Sequence, residues 1–280
     1  MPLYLQPDSL NDAVAALAAR PLTIVSGGTD YYPARVGKPL DDDVLDISRI
    51  AGLRGIADAG DHYRIGGLAT WSDVMAHPLP PMFDGLRLAA REVGGVQIQN
   101  AGTVAGNICN ASPAADGVPP LLALDAQVEL TSVRGSHLVP LAKFIMGNRQ
   151  TRRGRDEIVT ALRIARPLHP ARGTFLKLGA RKYLVISIAM VAAVIEAAPD
   201  GTVAAARIAV GACSPVARRL MLLERALVGA NVSPALADIP TARHLSLLAP
   251  IDDVRGSAAY RRDAALTLVR RALAQLGGAS

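Results

Sequence analysis

The segment Asn100-Ala101-Gly102-Thr103-Val104-Ala105-Gly106-Asn107-Ile108-Cys109-Asn110-Ala111-Ser112-Pro113-Ala114-Ala115-Asp116 is polar and glycine-broken, yet Pro119-Pro120-Leu121-Leu122-Ala123-Leu124 follows almost at once. Two glycines, three asparagines, a threonine, a serine and an aspartate fall within its 17 residues. A polar segment running into a hydrophobic element fits a ligand loop held on a core. Composition alone also allows a plain connecting loop.

A second loop upstream sharpens the choice. Leu22-Thr23-Ile24-Val25 is a short β-rich run, and Ser26-Gly27-Gly28-Thr29-Asp30 ends it. Paired glycines let successive backbone N–H groups turn toward one point. Such a nest binds an anion, most often phosphate, and the Thr29 hydroxyl adds a donor. A tight turn needing positive φ is the plain alternative. Familiar nucleotide motifs are missing. No G-x-G-x-x-G follows the first strand. Around Arg35-Val36-Gly37-Lys38, Tyr32 stands where a P-loop needs glycine and Pro39 where it needs Ser or Thr.

Outward from these loops, the chain mixes helices and strands. Leu10, Ala13, Val14 and Leu17 fall at helical spacing after a cap at Asp8 or Ser9. Val44-Leu45-Asp46-Ile47 reads as a strand. Arg54-Gly55-Ile56 and Tyr63-Arg64-Ile65-Gly66-Gly67 read as two more around a turn at 58–61. Residues 71–75 and 86–93 read as helices. Residues 127–133 and 136–139 form a hairpin about Arg134-Gly135, and 158–164 is a strand. Pro167 and Pro170 bracket His169 at a domain boundary near 166–172. Beyond it come Gly173-Thr174-Phe175-Leu176-Lys177, an apolar run at 183–198 read as a buried helix, a strand at 203–211, and helices near 214–229 and 257–276. The alternation is not a regular βαβ series, so the class is α+β.

The 280 residues carry a net charge of +6. Nucleic acid must therefore be weighed. The densest basic stretch, Arg149-Gln150-Thr151-Arg152-Arg153-Gly154-Arg155, has no interleaved aromatic residue. It reads as a solvated or partner-docking loop. Two cysteines, Cys109 and Cys213, are too few for an iron–sulfur cluster. The five histidines are scattered without metal-ligand spacing. The start of the chain lacks a signal peptide's pattern, no run reads as a membrane span, and the cytoplasm is the expected location.

Taken together the loops resemble the FAD-binding medium subunit of the molybdenum hydroxylases, the family of xanthine dehydrogenase and carbon monoxide dehydrogenase. Three motifs match in order: Ser26-Gly27-Gly28-Thr29-Asp30; Gly102 through Asp116, as Gly-Thr-x-x-Gly-Asn with Ser-Pro-x-x-Asp; and Phe175, Lys177 and Arg181. The resemblance covers most of the chain. It implies a two-part FAD-binding domain of the vanillyl-alcohol oxidase type over 1–166, divided near residue 55, and a small α+β C-terminal domain over 173–280. It implies that the backbone of Ile24, Val25, Ser26, Gly27, Gly28, Thr29 and Asp30 embraces the FAD pyrophosphate. Thr103 and Asn107 would bond phosphate or ribityl oxygens, with Gly106 allowing close approach. Asp116 would accept from the flavin or its ribityl chain, Val159 would pack on the ring, and Lys177 would stand near the polar edge of the isoalloxazine. The 66–70 stretch resembles a further family loop at the flavin.

The sequence departs from the family at Val93, where some relatives place an aromatic residue. It also lacks the cysteine-rich insertion of the [4Fe–4S] branch. The implied function is electron transfer from [2Fe–2S] clusters of a small subunit to an acceptor such as NAD, oxygen or quinone. A large molybdopterin subunit would handle the substrate, in a heterohexamer by family habit. No catalytic residue and no metal ligand is expected on this chain. A stand-alone flavin oxidoreductase and a non-enzymatic assembly protein with a degenerate site are the alternatives.

Overall fold

Ser9 begins the first helix because its hydroxyl accepts the Asp12 N–H at 3.1 Å, satisfying a donor that the helix cannot. The computed structural model describes residues 2–278. Its first unit contains β1 (Tyr4–Leu5), α1 (Leu10–Ala19), β2 (Thr23–Val25) and β3 (Val44–Asp46). The strands form a small parallel sheet in the order β1-β3-β2. Ala13, Val14 and Leu17 of α1 pack on Leu45 and Ile47, joined by Leu68 and Ile158 from the next unit.

The second unit runs through β4 (Ile56–Asp58), β5 (His62–Gly66), α2 (Trp71–Ala76), α3 (Asp84–Glu92), α4 (Val96–Ala101), α5 (Val104–Asn110), α6 (Val118–Ala123), β6 (Gln127–Ser132), β7 (Gly135–Pro140), α7 (Leu141–Phe144), β8 (Ile145–Gly147), β9 (Gln150–Thr151) and β10 (Ile158–Ala165). Five strands form an antiparallel sheet, β4-β5-β10-β6-β7. Alternation along each strand sorts its faces. Ile65, Val128, Leu130 and Leu162 lie under Trp71, Phe83, Leu86 and Ile108 in one core. Arg64, Glu129, Arg163 and Thr160 form a hydrogen-bonded network away from it. The expected strand at 54–56 lies slightly later, since Arg54 closes a 3₁₀ turn over Ala51–Leu53.

The third unit is a four-stranded antiparallel sheet of β11 (Ala171–Leu178), β12 (Ala189–Ala197), β13 (Val203–Gly211) and β14 (Arg218–Arg219), with α8 (Met221–Leu227) and the long α9 (Ala258–Gly278). Here two expectations fail. The apolar run at 183–198 is not a helix: residues 189–197 are the strand β12, and Tyr183, Leu184 and Ile186 before it are exposed. β12 lies between β11 and β13 and is covered on both sides. Met190, Ala192 and Val194 enter the core of the second unit, while Ala189, Val191, Ala193 and Ile195 meet α8 and α9. A strand buried on both faces loses its alternation and reads like a buried helix. The expected helix at 214–229 shrinks to α8, because β14 takes residues 218–219.

The units join through close backbone contact. A Cβ at Gly85 of α3 would lie 2.7 Å from the Thr174 carbonyl oxygen, and one at Gly173 2.4 Å from that of Met82. Only glycine lets the chains approach this closely.

Candidate cofactor cleft

The polar segment of residues 100–116 is not an open loop, as its composition suggested. Through Asn110 it folds as the end of α4, the Gly102-Thr103 link and α5, and residues 111–116 are turns. Thr103 caps α5, its hydroxyl accepting the Gly106 N–H at 2.9 Å. The same hydroxyl meets Ser26 Oγ at 3.2 Å, tying the two glycine loops together. Gly28 has φ +68°, the left-handed region that a nest requires. Gly27 serves differently: a Cβ there would stand 1.9 Å from the Ala101 carbonyl oxygen, so its absence lets the loops touch.

Between the first and second units lies a cleft of about 720 Å³. Ile24, Val25, Ser26, Gly27, Gly28, Thr29 and Asp30 line one wall. Thr103, Gly106, Asn107 and Val159 line the other. Eleven of the thirteen residues singled out in the sequence thus meet in one place. Gly67, from the further loop at 66–70, also lines it. So does Val93.

Asp116 and Lys177 do not line the cleft. They pair with each other: Lys177 Nζ donates to Asp116 Oδ2 at 2.8 Å, and Ser187 Oγ donates to Oδ1 at 2.9 Å. Both charged side chains are largely buried. Burial raises the Asp116 carboxyl above its ordinary value, against the opposing pull of Lys177 and the Ser187 hydroxyl.

Several lining residues were missed in the sequence. The basic stretch at 149–155 is no purely solvated or partner-facing loop, because Arg149, Thr151 and Arg153 line the cleft. Their spacing of two is that of a strand, and β9 lies here. That alternation was a usable signal. Arg149 Nη1 donates to Asn110 Oδ1 at 2.7 Å. Tyr31 and Arg35 also reach the cleft, the guanidinium stacking 3.8 Å from the ring centroid while Nε donates to Asp42 at 2.8 Å. Tyr183 is 60% exposed.

The lining offers hydroxyl, amide, guanidinium and carboxylate groups. It contains no histidine, and burial pushes the Cys109 thiol up to about 11, so it stays protonated at neutral pH. The described residues hold no group of three or more His, Cys, Asp or Glu suited to a metal ion. The cleft does fit a dinucleotide. Its size is that of a cofactor site, and the side-chain oxygen of Asn107 is buried with no partner, an acceptor awaiting a donor.

Comparison with known proteins agrees. Residues 2–167 match the model of the FAD binding domain in molybdopterin dehydrogenase, and residues 174–276 that of the CO dehydrogenase flavoprotein C-terminal domain. The nicotine 6-hydroxylase medium subunit of Paenarthrobacter nicotinovorans is 31% identical, over 98% of this chain and 96% of its own length. The nicotinate dehydrogenase FAD-subunit of Eubacterium barkeri is 36% identical over 66% of this chain and 65% of its own. The structure of a carbon monoxide dehydrogenase from Hydrogenophaga pseudoflava superposes with TM-score 0.85, at 28% identity, over 98% of this chain and 96% of that one. The chain belongs to the FAD-binding subunits of the molybdenum hydroxylase family. It is an oxidoreductase flavoprotein, and its cofactor is FAD. Among the described residues no helix is long and apolar enough to cross a membrane.

Proposed function

We propose that this chain accepts electrons from the [2Fe–2S] clusters of a small subunit and passes them to an external acceptor such as NAD, oxygen or quinone. A large molybdopterin subunit oxidises the organic substrate, the three proteins together forming a heterohexamer. The observation that carries this reading is the cleft between two glycine loops tied together where Ser26 meets Thr103.

FAD supplies the redox chemistry when bound. The chain's own residues bind and orient it. Backbone N–H groups from Ile24 through Asp30 hold the pyrophosphate, with Gly28 supplying the turn. Thr103 and Asn107 bond phosphate or ribityl oxygens, and Gly106 leaves room for them. Val159 packs on the ring. Lys177 and Asp116, paired outside the cleft lining, brace the second unit against the third. Residues 1–166 form the FAD-binding domain in two parts divided near residue 55, and residues 173–280 the C-terminal domain. The cytoplasm is the proposed setting, in keeping with two cysteines that are both free.

The test begins with the purified chain. Its absorbance should show a flavin band near ~450 nm, and denaturation should release FAD. Mixed anaerobically with the reduced small subunit, the band should bleach. A band that persists would refute the electron-transfer role, and a chain that neither holds nor takes up FAD would refute the assignment of the cleft.

A further inference from the structure

Some arginines of this chain pair with carboxylates, among them Arg20 with Asp43, Arg87 with Asp84, Arg166 with Asp58 and Arg219 with Glu224. The loop at 149–155 gathers four that do not. Among the described residues, no carboxylate lies within ion-pair distance of Arg149, Arg152, Arg153 or Arg155, although two acids sit in the same segment. Asp156 is taken by Arg134, and Glu157 by the Gly154 N–H at 2.7 Å and by His137 at 3.7 Å. The Arg149 side chain has one hydrogen bond, to Asn110, and its guanidinium carries five donors. Arg153 bonds only carbonyl oxygens, those of Gly154 and Glu157. Four positive charges therefore stand uncompensated, two of them in the cleft lining.

Their place relative to the glycine loops decides what they do. Arg149 is anchored at the last residue of α5, while Thr103 and Ser26 meet at the first turn. Seven helical residues separate the two ends, roughly 10 Å at 1.5 Å per residue. That is too far for the guanidinium held on Asn110 to grip a pyrophosphate in the nest. It is within reach of a field at 0.01 M salt, where the Debye length is about 30 Å, and that field is partly screened at physiological salt, where it is about 8 Å. Apolar walls such as Ile24, Ile47, Ile158 and Val159 focus that field along the cleft.

We infer that Arg149 and Arg153 form an electrostatic funnel that draws the dianionic pyrophosphate of FAD into the cleft, setting the rate at which the cofactor loads and not the rate at which it leaves. This rests on the reading of the cleft as the FAD site. The test is association of FAD with the deflavinated full chain, followed by stopped-flow fluorescence across ionic strength. R149Q/R153Q should slow association about tenfold near 0.01 M salt, the gap closing toward 1 M, with the dissociation rate unchanged. R225Q/R271Q removes the same net charge from exposed positions on α8 and α9 and should load like wild type. Equal loading rates for R149Q/R153Q and wild type at every salt would overturn the funnel. So would an equal slowing in R225Q/R271Q, which would indicate net charge alone. Faster dissociation with unchanged association would replace it with a direct contact. A wild-type chain that takes up no FAD would remove both the funnel and the site, a result distinct from the other three.

Discussion

Asn107 is the residue at which ligand binding and folding come apart most cleanly. Its buried side-chain oxygen has no partner, so the protein alone gains little from that amide. Replacing an unsatisfied polar group by an apolar one of similar size is close to neutral for folding. Asn107→Leu should therefore shift stability by no more than about 1 kcal/mol while flavin content per chain falls at least about tenfold. A thermal melt beside the flavin-to-protein ratio checks both halves, and full FAD occupancy would refute the assignment. Legibility at this scale followed the reach of local rules. The turn at Gly28 is legible because a nest is encoded over a few residues, whereas Thr103 and Asn107 stand out only through the family resemblance. The pairing of Lys177 with Asp116 spans 61 positions and depends on how two units dock, which no local pattern encodes.

Elements were legible where one face is wet. The helix α1 and the hairpin of β6 and β7 show their periods, and the sequence reading placed them within a residue or two. β12 has no wet face and was misread. α4 and α5 are only six and seven residues long, too short for a period beside their glycines. The antiparallel sheet offers a pH test at this scale. Burial works to raise the Glu129 carboxyl, but the Thr160 hydroxyl, Arg163 and Arg64 outweigh it and hold the group below its ordinary 4.5. A lowered folded value means a contribution fully present above 4.5, and lost as the pH falls through the folded value. Glu129→Gln should thus be less stable at pH 6 by about 2 kcal/mol, and lose less stability than wild type on going to pH 3.5. Urea denaturation at the two pH values decides it. Parallel losses in both proteins would mean that Glu129 does not set the acid limb.

At the scale of the molecule, the expected boundary near 166–172 is crossed by a shared core. Phe175, Met190, Ala192 and Val194 from beyond it lie in one core with Trp71, Phe83 and Leu86. Removing the last unit would bare that apolar face, and exposed patches of this kind drive aggregation. The full chain should melt in one cooperative transition, its second and third units together, and a fragment of residues 1–170 should be insoluble or bind a hydrophobic dye. A soluble, monomeric, cooperatively melting fragment would show that the shared core is dispensable.

The cleft lies at a seam, with one wall on the small parallel sheet and the other on the second unit, bridged where Ser26 meets Thr103. A molecule held by both walls is a structural member of the protein as well as its redox agent. Ligand that binds only the folded form raises its stability by mass action, and small changes in stability alter how much of a protein survives quality control. Vitamin supply thereby becomes a determinant of this chain's abundance: a flavin-starved cell would hold less of it.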